Sequence, residues 1–200
     1  AAGAGSLLDA ALTPGAAAAG LRYGQTRLDA ARLVAGGGFD NLGLLANGQM
    51  SFDGAVDVAV ANSLRLYAGV FSVAPGAEAR THVNLSSSYV RLSGPGQYYI
   101  TNGTLRPRVL FGDAPGVGAG GFTVRAGNLL EVGNNLSFGT QGTINRSVGG
   151  ALAVSRNGFD RVTLNSGGDL RFLLNNDDQP RTRLWTRGDL DLVAAQLYPV

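Results

Sequence analysis

Short runs of alternating apolar and polar residues constrain this chain more than any other feature. Val56, Val58 and Val60 alternate with Ala55, Asp57 and Ala59. Leu64 and Leu66 alternate with Ser63, Arg65 and Tyr67. The pattern returns in Thr81-Val83-Leu85, Leu130-Val132, Leu136-Phe138 and Leu170-Phe172-Leu174. A period of two puts successive side chains on opposite faces, which is the signature of a half-buried β-strand. Gly, Asn, Asp or Ser bounds nearly every run, so turns follow each strand closely. Two stretches depart from this rule. Residues 6–12 read as helix-like, and 26–34 suit a helix or a strand before Gly36-Gly37-Gly38.

The runs are also similar to one another. GFDNLGLLANGQMSF at 38–52 matches GFDRVTLNSGGDLRF at 158–172, and Val58, Val60, Asn62, Leu64 and Leu66 match Leu130, Val132, Asn134, Leu136 and Phe138. A shorter echo joins Gly168-Asp169-Leu170 to Gly188-Asp189-Leu190. A rung of roughly 20 to 24 residues accommodates these spacings. Many short strands with such a repeat predict an all-β chain, a right-handed parallel β-helix (β-solenoid) with loop excursions. About eight to ten coils at ~4.8 Å each make a rod. Residues 1–200 read as one solenoid segment, with excursions at 94–121 and 175–183, where Pro95, Pro107, Pro115 and Pro180 fall. Asn62, Asn134 and Asn135 suit turn ladders between coils. An antiparallel sandwich is the competing architecture, because Asn47-Gly48, Asp53-Gly54, Asn102-Gly103 and Asn157-Gly158 are hairpin signals.

Composition removes several chemistries. The 200 residues include no Cys and one His, which rules out disulfides, thiol nucleophiles and multi-histidine metal sites. All 16 basic residues are Arg, against 14 acidic residues, and no run of five or six like charges marks a nucleic-acid surface. No apolar run approaches the ~18 residues that cross a bilayer. No cofactor is expected. The Ala/Gly-rich start at 1–20 reads as a piece of a longer polypeptide, or as a cap with 196–200 at the other end.

Two strings resemble a known family. TRLDAARLVAGGGFDNLGLLANGQMSFDGAVDVAVANSLRLYAG (26–69) and TRGDLDLVAAQLYP (186–199) are similar to the filamentous-haemagglutinin-like large exoproteins of Gram-negative bacteria. The resemblance implies a β-helical stalk, secretion to the cell surface through an outer-membrane partner, and roles in adhesion or contact-dependent inhibition. The family's Asn-Pro-Asn secretion motif does not occur here.

Candidate sites follow from the strand pattern. Arg187-Gly188-Asp189 spells an integrin-recognition tripeptide, yet it sits at a strand start, where Gly188 suits the turn and Asp189 points outward. Stacking of 168–172 on 188–192 would set Arg171 beside Asp191 and Asp169 beside Asp189. That cluster is the basis of an alternative enzymatic reading, a polysaccharide lyase or hydrolase using carboxylates from adjacent coils. Tyr23, Tyr67, Tyr89, Tyr98, Tyr99 and Trp185 are suited to stacking on a surface glycan if they face outward. Gly116-Val117-Gly118-Ala119-Gly120-Gly121 contains GxGxxG, but Phe122-Thr123-Val124-Arg125 reads as strand rather than the helix a phosphate cradle needs. His82 is expected in solvent beside an inward Val83. Asp177-Asp178 reads as a solvated turn, and the sequons at Asn84, Asn102, Asn135 and Asn145 read as coincidental.

Overall fold

A computed structural model describes residues 17–18, 21–22, 26–46, 48–94, 98–101, 104–107, 114–145, 151–173 and 182–200; for 17–18, 21–22, 36, 98–101, 104–107, 143–145 and 151–152 it describes the backbone alone. The fold is all-β, and its main sheets are parallel. The strands form three stacks. Stack A holds Ala55–Ala59, 82–86, 122–126, 161–165 and Asp189–Val193. Stack B holds Asn41–Leu45, Ser63–Tyr67, 89–93, 129–133, Asp169–Leu173 and Gln196–Pro199. Stack C holds Gln49–Phe52, Val70–Val73, Asn135–Phe138 and Arg183–Thr186. The chain passes from A to B to C and returns to A one strand higher, except that the winding through 82–93 adds no described strand to stack C. Six strands in stack B make a column roughly 25 Å tall at ~4.8 Å per strand.

Neighbours in each stack pair in parallel, unlike the up-and-down strands of a sandwich. Asp53-Gly54, a hairpin signal by sequence, instead turns the chain from stack C to stack A, with Gly54 at φ 75°. Among the described residues, antiparallel pairing is confined to small hairpins. Tyr98–Thr101 pairs with Thr104–Pro107 inside the expected excursion, and Thr140–Asn145 pairs with Ala151–Arg156 where the sequence suggested none. The end of the expected first excursion is strand already, since Val117–Gly133 is one continuous element. Residues 174–181, most of the second excursion and including Asp177-Asp178, lie outside the described residues.

The register corrects the repeat. Leu42, Leu64, Val90, Leu130, Leu170 and Leu197 occupy one position in stack B, so successive windings take 22, 26, 40, 40 and 27 residues. The three sequence matches join strands of different stacks: Leu64 lies in B and Leu136 in C, while Asp169 lies in B and Asp189 in A.

Inward residues make a continuous apolar ladder. Leu64, Val90, Leu130 and Leu170 are fully buried, as are Leu92 and Val132. Between the stacks, Phe52, Phe71, Phe122, Phe138 and Phe159 form a ring cluster with centroids 5.1 to 6.4 Å apart. The ambiguous 26–34 stretch yields the helix Ala30–Val34, capped by Asp29, whose Oδ1 accepts from the Ala31 N–H at 3.0 Å. Ala30 and Val34 rest against the core at the first strand of stack A. At the opposite end, Gln196–Pro199 extends stack B as a further strand, where the sequence suggested a cap. There Leu190, Leu192 and Leu197 are 39%, 36% and 52% exposed, because no described strand lies above them.

Candidate functional site: the arginine–tyrosine face of stack B

Outward residues of stack B repeat at the same register as the inward ones. The central row runs Gly43, Arg65, Arg91, Glu131, Arg171, Tyr198. Flanking rows carry Ser63, Tyr89, Leu129 and Asp169 on one side, and Leu45, Tyr67 and Ser93 on the other. A period of two explains the local arrangement: Arg65-Leu66-Tyr67 and Tyr89-Val90-Arg91 each put Arg and Tyr outward around a buried aliphatic.

The rows interlock diagonally. The Arg65 guanidinium lies 5.5 Å from the Tyr89 ring centroid, and that of Arg91 lies 5.9 Å from the Tyr67 ring. Both separations suit cation–π attraction. The Tyr89 hydroxyl donates to Glu131 Oε2. Burial, then this bond to the carboxylate, pushes the Tyr89 hydroxyl up to about 12.

A second knot sits higher on the same face. Asp169 Oδ2 accepts from the Tyr198 hydroxyl at 2.6 Å and from Arg171 at 3.1 Å, while Arg171 Nε donates to the Tyr198 oxygen at 2.8 Å. The Tyr198 hydrogen bond, then that of Arg171, holds the Asp169 carboxyl below the usual carboxylate range. A carboxylate with a lowered folded-state pKa stabilises the fold above the unfolded pKa of about 3.9 and loses that contribution as pH falls through the folded value. Tyr198→Phe is expected to raise the Asp169 pKa toward the ordinary value, read by carboxyl-carbon NMR across an acid titration.

The sequence-predicted residues fall as follows. Arg187-Gly188 forms the bend between stacks C and A, and Arg187 Nη1 donates to the Ala114 and Pro115 carbonyl oxygens at 3.0 and 2.8 Å. Gly188 is required there because an added Cβ would lie 2.2 Å from the Phe159 oxygen. Asp189 is exposed, 3.6 Å from Arg161, so the tripeptide's Arg is anchored to backbone while its Asp faces solvent. Trp185 is half-buried, in register with Ser137. Tyr98 and Tyr99 are described by backbone only, in the small hairpin, and Tyr23 lies outside the described residues.

Two pairings fail. Arg171 meets Asp169 on its own strand, whereas Asp189 and Asp191 both meet Arg161 on stack A. The expected four-residue cluster of Asp169, Arg171, Asp189 and Asp191 is therefore divided between two faces. The GxGxxG stretch is extended, and Gly120 exists for packing: an added Cβ would lie 1.6 Å from the Thr81 oxygen. His82 is exposed beside buried Val83, as expected. Asn135 is fully buried. Asn134 adopts φ 58° and donates to the Gly94 oxygen at 2.7 Å, which closes that corner.

Set against protein-family models, curated protein sequences and solved structures, the chain finds no match.

Proposed function

We propose that this chain is a segment of a right-handed parallel β-helix, with hairpin excursions, serving as a structural and adhesive stalk of a secreted bacterial surface exoprotein. One observation carries the reading. The same inward position is filled by an aliphatic residue through six successive strands of stack B, while the outward rows on that stack stay mostly polar. Such a column gains its stability from neighbour-to-neighbour stacking, which suits an extended support. Its regular outward face presents side chains at strand spacing, which suits repeated weak contacts with a surface glycan or receptor. In this reading export uses an outer-membrane secretion partner and delivers the chain to the cell surface. The mechanism is mechanical. A stiff column holds its contact face away from the cell, and multivalent display raises weak binding to avid binding.

Beads coated with the chain test this directly. Coated beads are expected to adhere to host or bacterial cells about a hundredfold better than the soluble chain binds them. Beads that adhere no better than uncoated ones would overturn the adhesive part and leave a passive spacer.

A further inference from the structure

Arg65 and Arg91 stand in register on neighbouring strands, so their backbones lie ~4.8 Å apart. Like charges directly opposite repel. Several arginines of the fold meet carboxylates, Arg80 with Asp53, Arg161 with Asp189 and Asp191, and Arg171 with Asp169, while Arg187 meets backbone carbonyls. Among the described residues no carboxylate lies within 4.0 Å of either Arg65 or Arg91. Tyrosine rings hold the two guanidinium groups instead, and the enclosed Arg91 Nε has no hydrogen-bond partner. The nearest acid in the row, Glu131, receives the Tyr89 hydroxyl and lies on the far side of Arg91 from Arg65.

Below Arg65 the central row is empty. Gly43 is its register partner, and a Cβ added there would meet nothing within 4 Å. Beside this notch Leu45, 71% exposed, pairs in register with half-buried Tyr67. The result is an open shelf with an apolar wall and two cations at its back.

We propose that Gly43, Leu45, Arg65, Tyr67, Tyr89 and Arg91 form a binding subsite for one acidic sugar unit of an anionic polysaccharide. The sugar's oxyanion meets the Arg65 and Arg91 forks, where planar guanidinium groups match carboxylate or sulfate geometry. Its C–H face lies against Leu45 and Tyr67. The subsite deepens the adhesive reading and rests on it by naming the ligand class.

Calorimetric titration of the intact chain with polygalacturonate, dextran sulfate and neutral dextran tests the subsite, the first two separating carboxylate from sulfate as the anion. At least one acidic polymer is expected to bind and neutral dextran not to. Arg65→Gln with Arg91→Gln should weaken binding at least about tenfold, and so should Gly43→Glu, which removes no cation but fills the shelf with a competing carboxylate. Arg125→Gln, on stack A, should bind as the parent does, and circular dichroism should show each variant folded. Acidic polymers bound equally by the parent, the double variant and Gly43→Glu would overturn the subsite while leaving adhesion intact. Equal weakening by Arg125→Gln would overturn it as diffuse charge attraction. Failure of the parent to bind either acidic polymer would also overturn it, whereas loss of bead adherence alone would overturn the adhesive reading.

Discussion

Phe122→Ala is expected to lower unfolding stability by about 4 kcal/mol, among the largest effects of any single truncation in the core. Phe122 is fully buried and central: its ring centroid lies 5.6 Å from Phe52, 5.7 Å from Phe71, 5.1 Å from Phe138 and 5.3 Å from Phe159. Those four rings come from stack C and from the strand Gly158–Ser166, so their backbones are held by independent parallel ladders. They cannot close the void without breaking register. Truncation thus costs the transfer of the ring, the cavity, and edge-to-face contacts each worth about 1 kcal/mol. Urea denaturation followed by circular dichroism reads the shift, with an unchanged slope expected if the unfolded state is unaffected. A loss below about 1 kcal/mol would mean that the ring cluster is not the centre of the fold.

Gly120→Ala is expected to cost roughly 3 kcal/mol although it adds one methyl group. The added Cβ would lie 1.6 Å from the Thr81 backbone oxygen. Thr81 has little freedom to retreat. It is fully buried, and its hydroxyl donates to the Ala77 oxygen at 2.8 Å and accepts from the Gly54 N–H at 3.2 Å. The contact meets backbone rather than a flexible side-chain tip, so a strand must shift. Thermal unfolding checks this, with Gly43→Ala as the control. Gly43 has open space around it, and the same added methyl group there should change stability by only a few tenths of a kcal/mol.

Alternation along the chain identified which side chains are inward. Val58, Leu64, Leu66, Leu85, Leu130, Leu136 and Leu170 were all read as inward, and all are buried. It could not say which strand sits on which. Each stack uses the same local grammar, a small turn residue followed by alternate aliphatics, so Leu64 resembles Leu136 although one lies in stack B and the other in C. That ambiguity produced the expected contact of Arg171 with Asp191. Register is set by packing and by the length of each corner, and hairpins lengthen some windings to 40 residues.

The candidate face was partly visible for the same reason. Tyr67 and Tyr89 were marked as sugar-stacking groups if outward, and Arg65 and Arg91 stand two residues from them on the same strand face. The spacing in Arg-x-Tyr and Tyr-x-Arg was the available signal. The crossed pairing, with Arg65 over Tyr89 and Arg91 over Tyr67, joins residues of different windings and exists only once the strands are in register. Gly43 and Leu45 gave no sign, since a glycine's open surroundings depend on what stands above and below. Arg187 was likewise opaque, because its carbonyl partners come from Ala114 and Pro115, far away in sequence.

Among the described residues, stack C omits a strand. Winding 82–93 contributes to stacks A and B but not to C, where Val70–Val73 pairs directly with Asn135–Phe138. In a column built only of adjacent contacts, an opening at one level concerns only the level above and the level below. Here the pairing of Ser137 and Phe138 with Val70 and Phe71 reaches past the intervening level, so that fraying from either end is expected to slow where those three levels are joined.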